Sequence, residues 1–167
     1  MSVAGIWFGR GLGAAMAVFL AMVAGAVALA QSAPPEMKFD RSTLVIETAA
    51  GPRNFDIELA LAPDQQQRGL MFRKDMGAYE GMLFDFGETR PITMWMANTL
   101  IALDMLFIGA DGVVKHVHAN AVPQSTATIP SNGPAKAVLE INGGAARLLG
   151  IKPGDVVRHA MFGNAKN

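Results

Sequence analysis

Leu103-Asp104-Met105-Leu106-Phe107-Ile108 and Val113-Val114-Lys115-His116-Val117-His118 are two apolar runs of strand length, joined through Asp111-Gly112. Asp-Gly between two such runs is a strong tight-hairpin signal, because glycine supplies the positive φ that the turn needs. Working toward the carboxyl end, residues 119–134 are rich in Ser, Thr, Pro and Asn and read as a long polar connection. Residues 137–141 read as a further strand, leading through Asn142-Gly143-Gly144 into a short helix over 145–149. Gly150 suits the left-handed cap of that helix, and Pro153 beyond it prevents continuation. Lys152-Pro153-Gly154-Asp155 has Pro and Gly where a type II turn wants them. Residues 156–162 make a last strand.

Toward the amino end, residues 91–97 and 81–86 are two more strand candidates. Before them, Asp64 is placed to cap a short helix with Gln67 reaching back, and Gly69 to end it. In residues 55–59, Phe55, Ile57 and Leu59 alternate with Asp56 and Glu58, so the two acids are expected to face solvent. Residues 43–48 form the partner strand, and residues 31–42, with Pro34-Pro35, form a flexible lead-in. About eight short strands with two brief helices predict a mainly β fold, a compact β-sandwich or barrel-like single domain over residues 43–163.

The first thirty residues carry one basic residue, Arg10, then an apolar run over residues 12–28, then Ala28-Leu29-Ala30. That is the layout of a secretory signal peptide cleaved after Ala30. A retained membrane anchor is the alternative, but 17 Ala- and Gly-rich residues are short for a bilayer of ~30 Å. The expected location is therefore periplasmic or secreted, with no mature membrane span. Cleavage leaves 137 residues, with 13 basic against 14 acidic side chains. That balance argues against a nucleic-acid partner, which requires a basic face. The chain has no Cys, which excludes disulfides, thiol catalysis, thiolate metal sites and a lipid anchor on a cysteine.

Arg68-Gly69-Leu70-Met71-Phe72-Arg73, Glu80-Gly81-Met82-Leu83-Phe84 and Trp95-Met96-Ala97-Asn98-Thr99 follow one another along the chain. So do Leu103-Asp104 with Phe107-Ile108, Gly133-Pro134-Ala135 with Val138-Leu139-Glu140, and Gly150-Ile151 with Gly154-Asp155. In this order and spacing they resemble domain of unknown function family 192, over roughly residues 43–157. The resemblance implies a small, mostly β, often exported protein and carries no activity. Ala97 stands where the family often has Lys, and Gln124 where it often has Cys.

Asp104 shares strand parity with Leu106 and Ile108, so it is either at a strand end or buried, and a buried carboxylate needs a partner. Arg68, Arg73, Arg90 and Asn98 are candidates, with a backbone cap as the structural option. Glu140 poses the same question among Val138 and Asn142. Together the two acids would suit a hydrolase or lyase, as paired general acid and base. Trp95 lies in a stretch apolar on both parities, as in a strand covered on both faces. Beside Asn98 and Thr99 it would instead floor a small pocket. Copper is the metal alternative, through Met94 and Met96 with His116 and His118, since thioether and imidazole suit that ion. No Gly-x-Ser-x-Gly setting or phosphate loop is present. The reading that results is a non-catalytic exported module without a cofactor. It binds a small molecule or exported protein through Arg68, Trp95, Asn98, Thr99, Asp104 and Glu140.

Overall fold

Strand pairing begins at Asp40, where β1 (Asp40–Thr48) runs antiparallel to β2 (Gly51–Ala60). The structure, a computed structural model, describes residues 37–165. The signal reading of residues 1–30 lies outside them, and the lead-in ends before Asp40 rather than at residue 42. After β2 come α1 (Pro63–Arg68), β3 (Glu80–Met94), β4 (Leu103–Ile108), β5 (Val114–Ala121), β6 (Ile129–Asn142), α2 (Ala145–Leu149) and β7 (Val156–Arg158). The seven strands make one curled sheet in the order β5-β4-β6-β3-β2-β1-β7, a half-barrel. Every neighbouring pair is antiparallel except β2 with β3. A parallel pair needs a long crossover, and residues 61–79 supply it.

Two apolar layers sandwich the sheet. One draws on all seven strands and on Ala145 and Ala146 of α2. The other, with Met82, Phe84, Met105, Phe107 and Val138, is covered by Leu70 of the crossover and by Met96. β4 is buried at all six positions because both of its faces are covered. The two ends of the strand order meet at one corner. There Val113 bridges Val156, and Val157 N–H donates to the Gly112 carbonyl at 2.8 Å.

Several local expectations are corrected. The strands expected over 81–86 and 91–97 are one strand, β3, bent by register shifts between Asp85 and Arg90 and ending at Met94. The polar connection shrinks to residues 122–128, because β6 starts at Ile129, opposite Met94. Pro130 and Pro134 are tolerated there because the outer halves of β3 and β6 pair only with each other. Their donor-less sides therefore face no third strand. Ala62, not Asp64, precedes the first turn of α1, and Gln65 Oε1 accepts from the Leu61 and Ala62 N–H groups at 3.0 Å each. Pro63 fits the first helical position, where its missing N–H costs nothing. The last strand stops at Arg158. His159 Nδ1 then accepts from Met161 N–H at 3.1 Å and turns the chain into a 3-10 turn over Ala160–Phe162. Asp56 is exposed as expected, but Glu58 lies under the crossover, ion-paired to Arg73 and 3.8 Å from Arg41. Among the described residues, no helix is long and apolar enough to cross a membrane.

Candidate functional site

Asp104 is fully buried on β4, on the face that packs against α2. None of the arginines proposed from the sequence reaches it. Its Oδ1 accepts from the N–H groups of Asn120 (2.8 Å) and Gly144 (2.9 Å), and its Oδ2 from Ala146 N–H (2.8 Å). These amides include free donors of the first turn of α2, where a carboxylate also meets the positive end of the helix dipole. Asp104 therefore acts as a backbone cap, tying β4, β5 and α2 together.

Glu140 is buried on β6, directly across from Met82 on β3 and Met105 on β4. Among the described residues it has no hydrogen-bond or ion-pair partner. Burial alone pushes its carboxyl from 4.5 up to about 8. Asp104 registers with Ile141 and Glu140 with Met105. Successive residues of a strand point to opposite faces, so the two carboxylates open into different apolar layers. They cannot flank one bond, and the paired acid-base arrangement is not formed.

The remaining candidates gather at one end of the sheet, where three loops are stitched together. Phe72 N–H, in the loop after α1, donates to the Asn98 carbonyl at 2.9 Å. Gln124 N–H donates to Thr99 O at 2.9 Å, and Met96 N–H to Ser125 O at 3.0 Å. Asn98 Nδ2 sits 3.9 Å from Met71 Sδ, and the Arg68 guanidinium lies 4.7 Å from the centre of the Phe72 ring. Thr99 is buried, with its hydroxyl 3.4 Å from the Ala97 carbonyl.

Each loop holds one non-glycine residue in the left-handed region: Phe72 at φ 66, Asn98 at φ 57 and Gln124 at φ 61. Asn adopts this conformation readily, whereas Phe and Gln do so at a cost of ~1 kcal/mol or more. Large apolar side chains stand open around these points: Phe72 (46% exposed), Trp95 (53%), Leu100 (41%) and Val122 (68%). Trp95 is thus not a core residue. It follows the end of β3, where no second layer covers it, while its neighbour Met96 turns inward and is fully buried.

The structure therefore brings Arg68, Trp95, Asn98 and Thr99 to one place, and leaves Asp104 and Glu140 in the core. Phe72, Leu100 and Val122 belong with the first group; Phe72 falls within the family motif over residues 68–73, whereas no motif contains Leu100 or Val122. Asn98 is the residue that carries a signal, since Asn is enriched at positive φ. Ala97 and Gln124, the two departures from the family pattern, also lie in this cluster.

The shared strand face expected of each pair of copper candidates holds for the histidines and not for the methionines. Met94 ends β3 and Met96 lies beyond it, so the two do not share a strand face. His116 and His118 do share one on β5, opposite Phe107 and Met105. His116 stacks on Phe107 at 5.7 Å and lies 3.1 Å from Asn132 Nδ2. In the order of the sheet β4 and β6 lie between β5 and β3, and the outer half of β6, which pairs with Met94, reaches His116 through Asn132. Among the described residues, no three His, Asp or Glu side chains gather into a metal-binding group.

Two solved structures are similar to the chain. One is a provisionally assigned transcription regulator from Sinorhizobium meliloti 1021, 46% identical, covering 75% of this chain and 98% of its own, with a TM-score of 0.73. The other is a protein of unknown function from Novosphingobium aromaticivorans DSM 12444, 42% identical, covering 77% and 91%, with a TM-score of 0.72. No curated protein matches the chain. The DUF192 family, described as an uncharacterized ACR, matches residues 45–159. Most of the half-barrel and the whole loop cluster fall within that match, and the chain belongs to the DUF192 family.

Proposed function

We propose that the protein is an exported, non-catalytic module that binds a small ligand or an exported partner protein at the loop cluster of Arg68, Phe72, Trp95, Asn98 and Thr99. One observation carries this reading: three loops hydrogen-bonded to one another, each with a left-handed non-glycine residue, hold Phe72 and Trp95 open to solvent. Backbone strain of this kind clusters at ligand sites, because the surrounding structure must hold it in place. Large exposed apolar side chains mark contact surfaces when they occur together rather than singly. Export rests on the signal-like residues 1–30, with cleavage after Ala30 and a periplasmic or secreted mature chain.

A nucleic-acid partner is not part of this reading, although the Sinorhizobium relative is described as a regulator. The described helices have six and five residues, too short for a recognition helix seated in a groove. The near-neutral net charge also lacks the surplus that phosphate binding needs.

A mature chain starting at Gln31 retains Trp95 as its only tryptophan, since Trp7 leaves with the signal. Its emission therefore reports on the cluster alone. Protein recovered from the exported fraction is expected to have a mass beginning at Gln31. Its emission is expected to shift to the blue when ligand from the same fraction is added. A mass that keeps the first thirty residues overturns cleavage. Emission unmoved by both the small-molecule and the protein fractions overturns binding at the cluster.

A further inference from the structure

We infer that the cleft beside Phe72 takes an anionic amphiphile, with a carboxylate or phosphate head on Arg68 and Lys38 and an apolar body along Phe39, Met71 and Phe72. This rests on the loop-cluster reading and adds the charge class of the ligand. The cleft has a volume of about 470 Å³ and is continuous with the cluster through Met71 and Phe72. Three cations line it, Lys38, Arg68 and Arg73, against a single acid, Glu58. Glu58 is already engaged, because it pairs with Arg73 and has Arg41 3.8 Å away on its other oxygen.

Arg68 and Lys38 are left over. Neither has an acidic partner within 4 Å among the described residues. Arg68 instead rests its guanidinium on the Phe72 ring. A cation–π contact orients the fork without using its hydrogen bonds, and the fork matches a carboxylate or phosphate bidentately. The surplus is local, since the chain as a whole carries as many acids as bases. Cations set beside Phe39, Met71 and Phe72 select a ligand having both characters. A free inorganic anion would leave Phe39, Met71 and Phe72 unused, and a neutral apolar ligand would leave the two cations unpaired.

The test is calorimetric titration of the protein, produced from its full-length sequence, with decanoate and decyl phosphate below their micellar concentrations, decanol below its solubility limit, and acetate. Decanoate or decyl phosphate is expected to bind at least tenfold more tightly than decanol and acetate, and the better of the two names the head group. Arg68→Gln is expected to weaken that binding roughly tenfold or more, with Arg68→Lys recovering part of it and the melting temperature nearly unchanged. Lys38→Gln provides a second variant on an exposed side chain remote from the core. Decanol binding as tightly as decanoate, or affinity unchanged in both Gln variants, overturns the charge inference and leaves the loop-cluster reading standing. Absence of binding by all four overturns the inference, and Trp95 emission unmoved in the binding test above would then remove the cluster reading as well.

Discussion

Asp104 and Glu140 are both buried carboxylates, one on each face of the same sheet, and they are expected to act oppositely on stability. Asp104 accepts from three backbone N–H groups, so its charge is matched. Asp104→Asn replaces an acceptor oxygen with a donor that faces those amides, and should cost about 2–4 kcal/mol in urea unfolding. A loss below ~1 kcal/mol would show that the amides find water instead. Glu140 has no such match, and burial raises its carboxyl from 4.5 to about 8. Between those values the unfolded chain has released the proton that the native chain still holds. The unfolded state thus binds fewer protons, and stability falls as pH rises through this window. Glu140→Gln should therefore change little at about pH 4 and stabilise by on the order of 3–5 kcal/mol at about pH 9. The difference between variant and parent is the quantity to measure, because His159 acts the other way. Burial holds its imidazole below the usual 6.5, so its contribution is lost as pH falls, and it cancels in the difference. Strand parity left each acid either at a strand end or buried, and the sheet settles both as buried. Parity could not reveal that the partners of Asp104 are amides of Asn120, Gly144 and Ala146, because that pairing exists only once β5 and α2 have docked.

At the scale of elements, the pairing of β3 with β6 holds the two apolar layers in register, and Gly81 is its tightest point. A Cβ there would lie 2.6 Å from the Glu140 carbonyl and 3.2 Å from Ile141 Cγ2. The first contact is with backbone in a central strand and has no room to yield. Gly81→Ala is therefore expected to lose about 2–3 kcal/mol in denaturant unfolding. A variant as stable as the parent would mean that β3 and β6 separate easily at that crossing. The same pair shows where sequence reading succeeds. β4, the Asp111-Gly112 turn and α2 with its Gly150 cap are legible because each is specified by its own residues, and Gly112 and Gly150 do take positive φ. The start of β6 is not legible. Pro130 and Pro134 argue against a strand, and only the distant partners Met94 and Pro91 make one there. The loop cluster fails in the same way: Asn98 announces a left-handed residue, but Phe72 and Gln124 are held there by neighbours far along the chain.

For the molecule as a whole, the question is whether the half-barrel behaves as closed or open. The edges of the sheet meet at a short seam. Val114 N–H donates to Asp155 O and Gly154 N–H to Val114 O, both at 2.9 Å, and Val157 N–H to Gly112 O at 2.8 Å. No disulfide can reinforce it, since the chain has no cysteine. Gly112 is the weak point, with φ 78 and a would-be Cβ 2.7 Å from the Val157 carbonyl. Gly112→Ala should destabilise by about 1–3 kcal/mol, because both the backbone conformation and the contact resist a side chain. Amide exchange then separates two accounts of the fold. If the curl is held by the layers packed on β3, β4 and β6, only the amides of Val114, Gly154 and Val157 lose protection in the variant, and those of β4 keep theirs. If the seam is what closes the barrel, protection falls together across all seven strands, since opening one corner then exposes the layer shared by every strand. The first outcome is expected. All six β4 residues are buried between two layers, and only one of these layers reaches the seam.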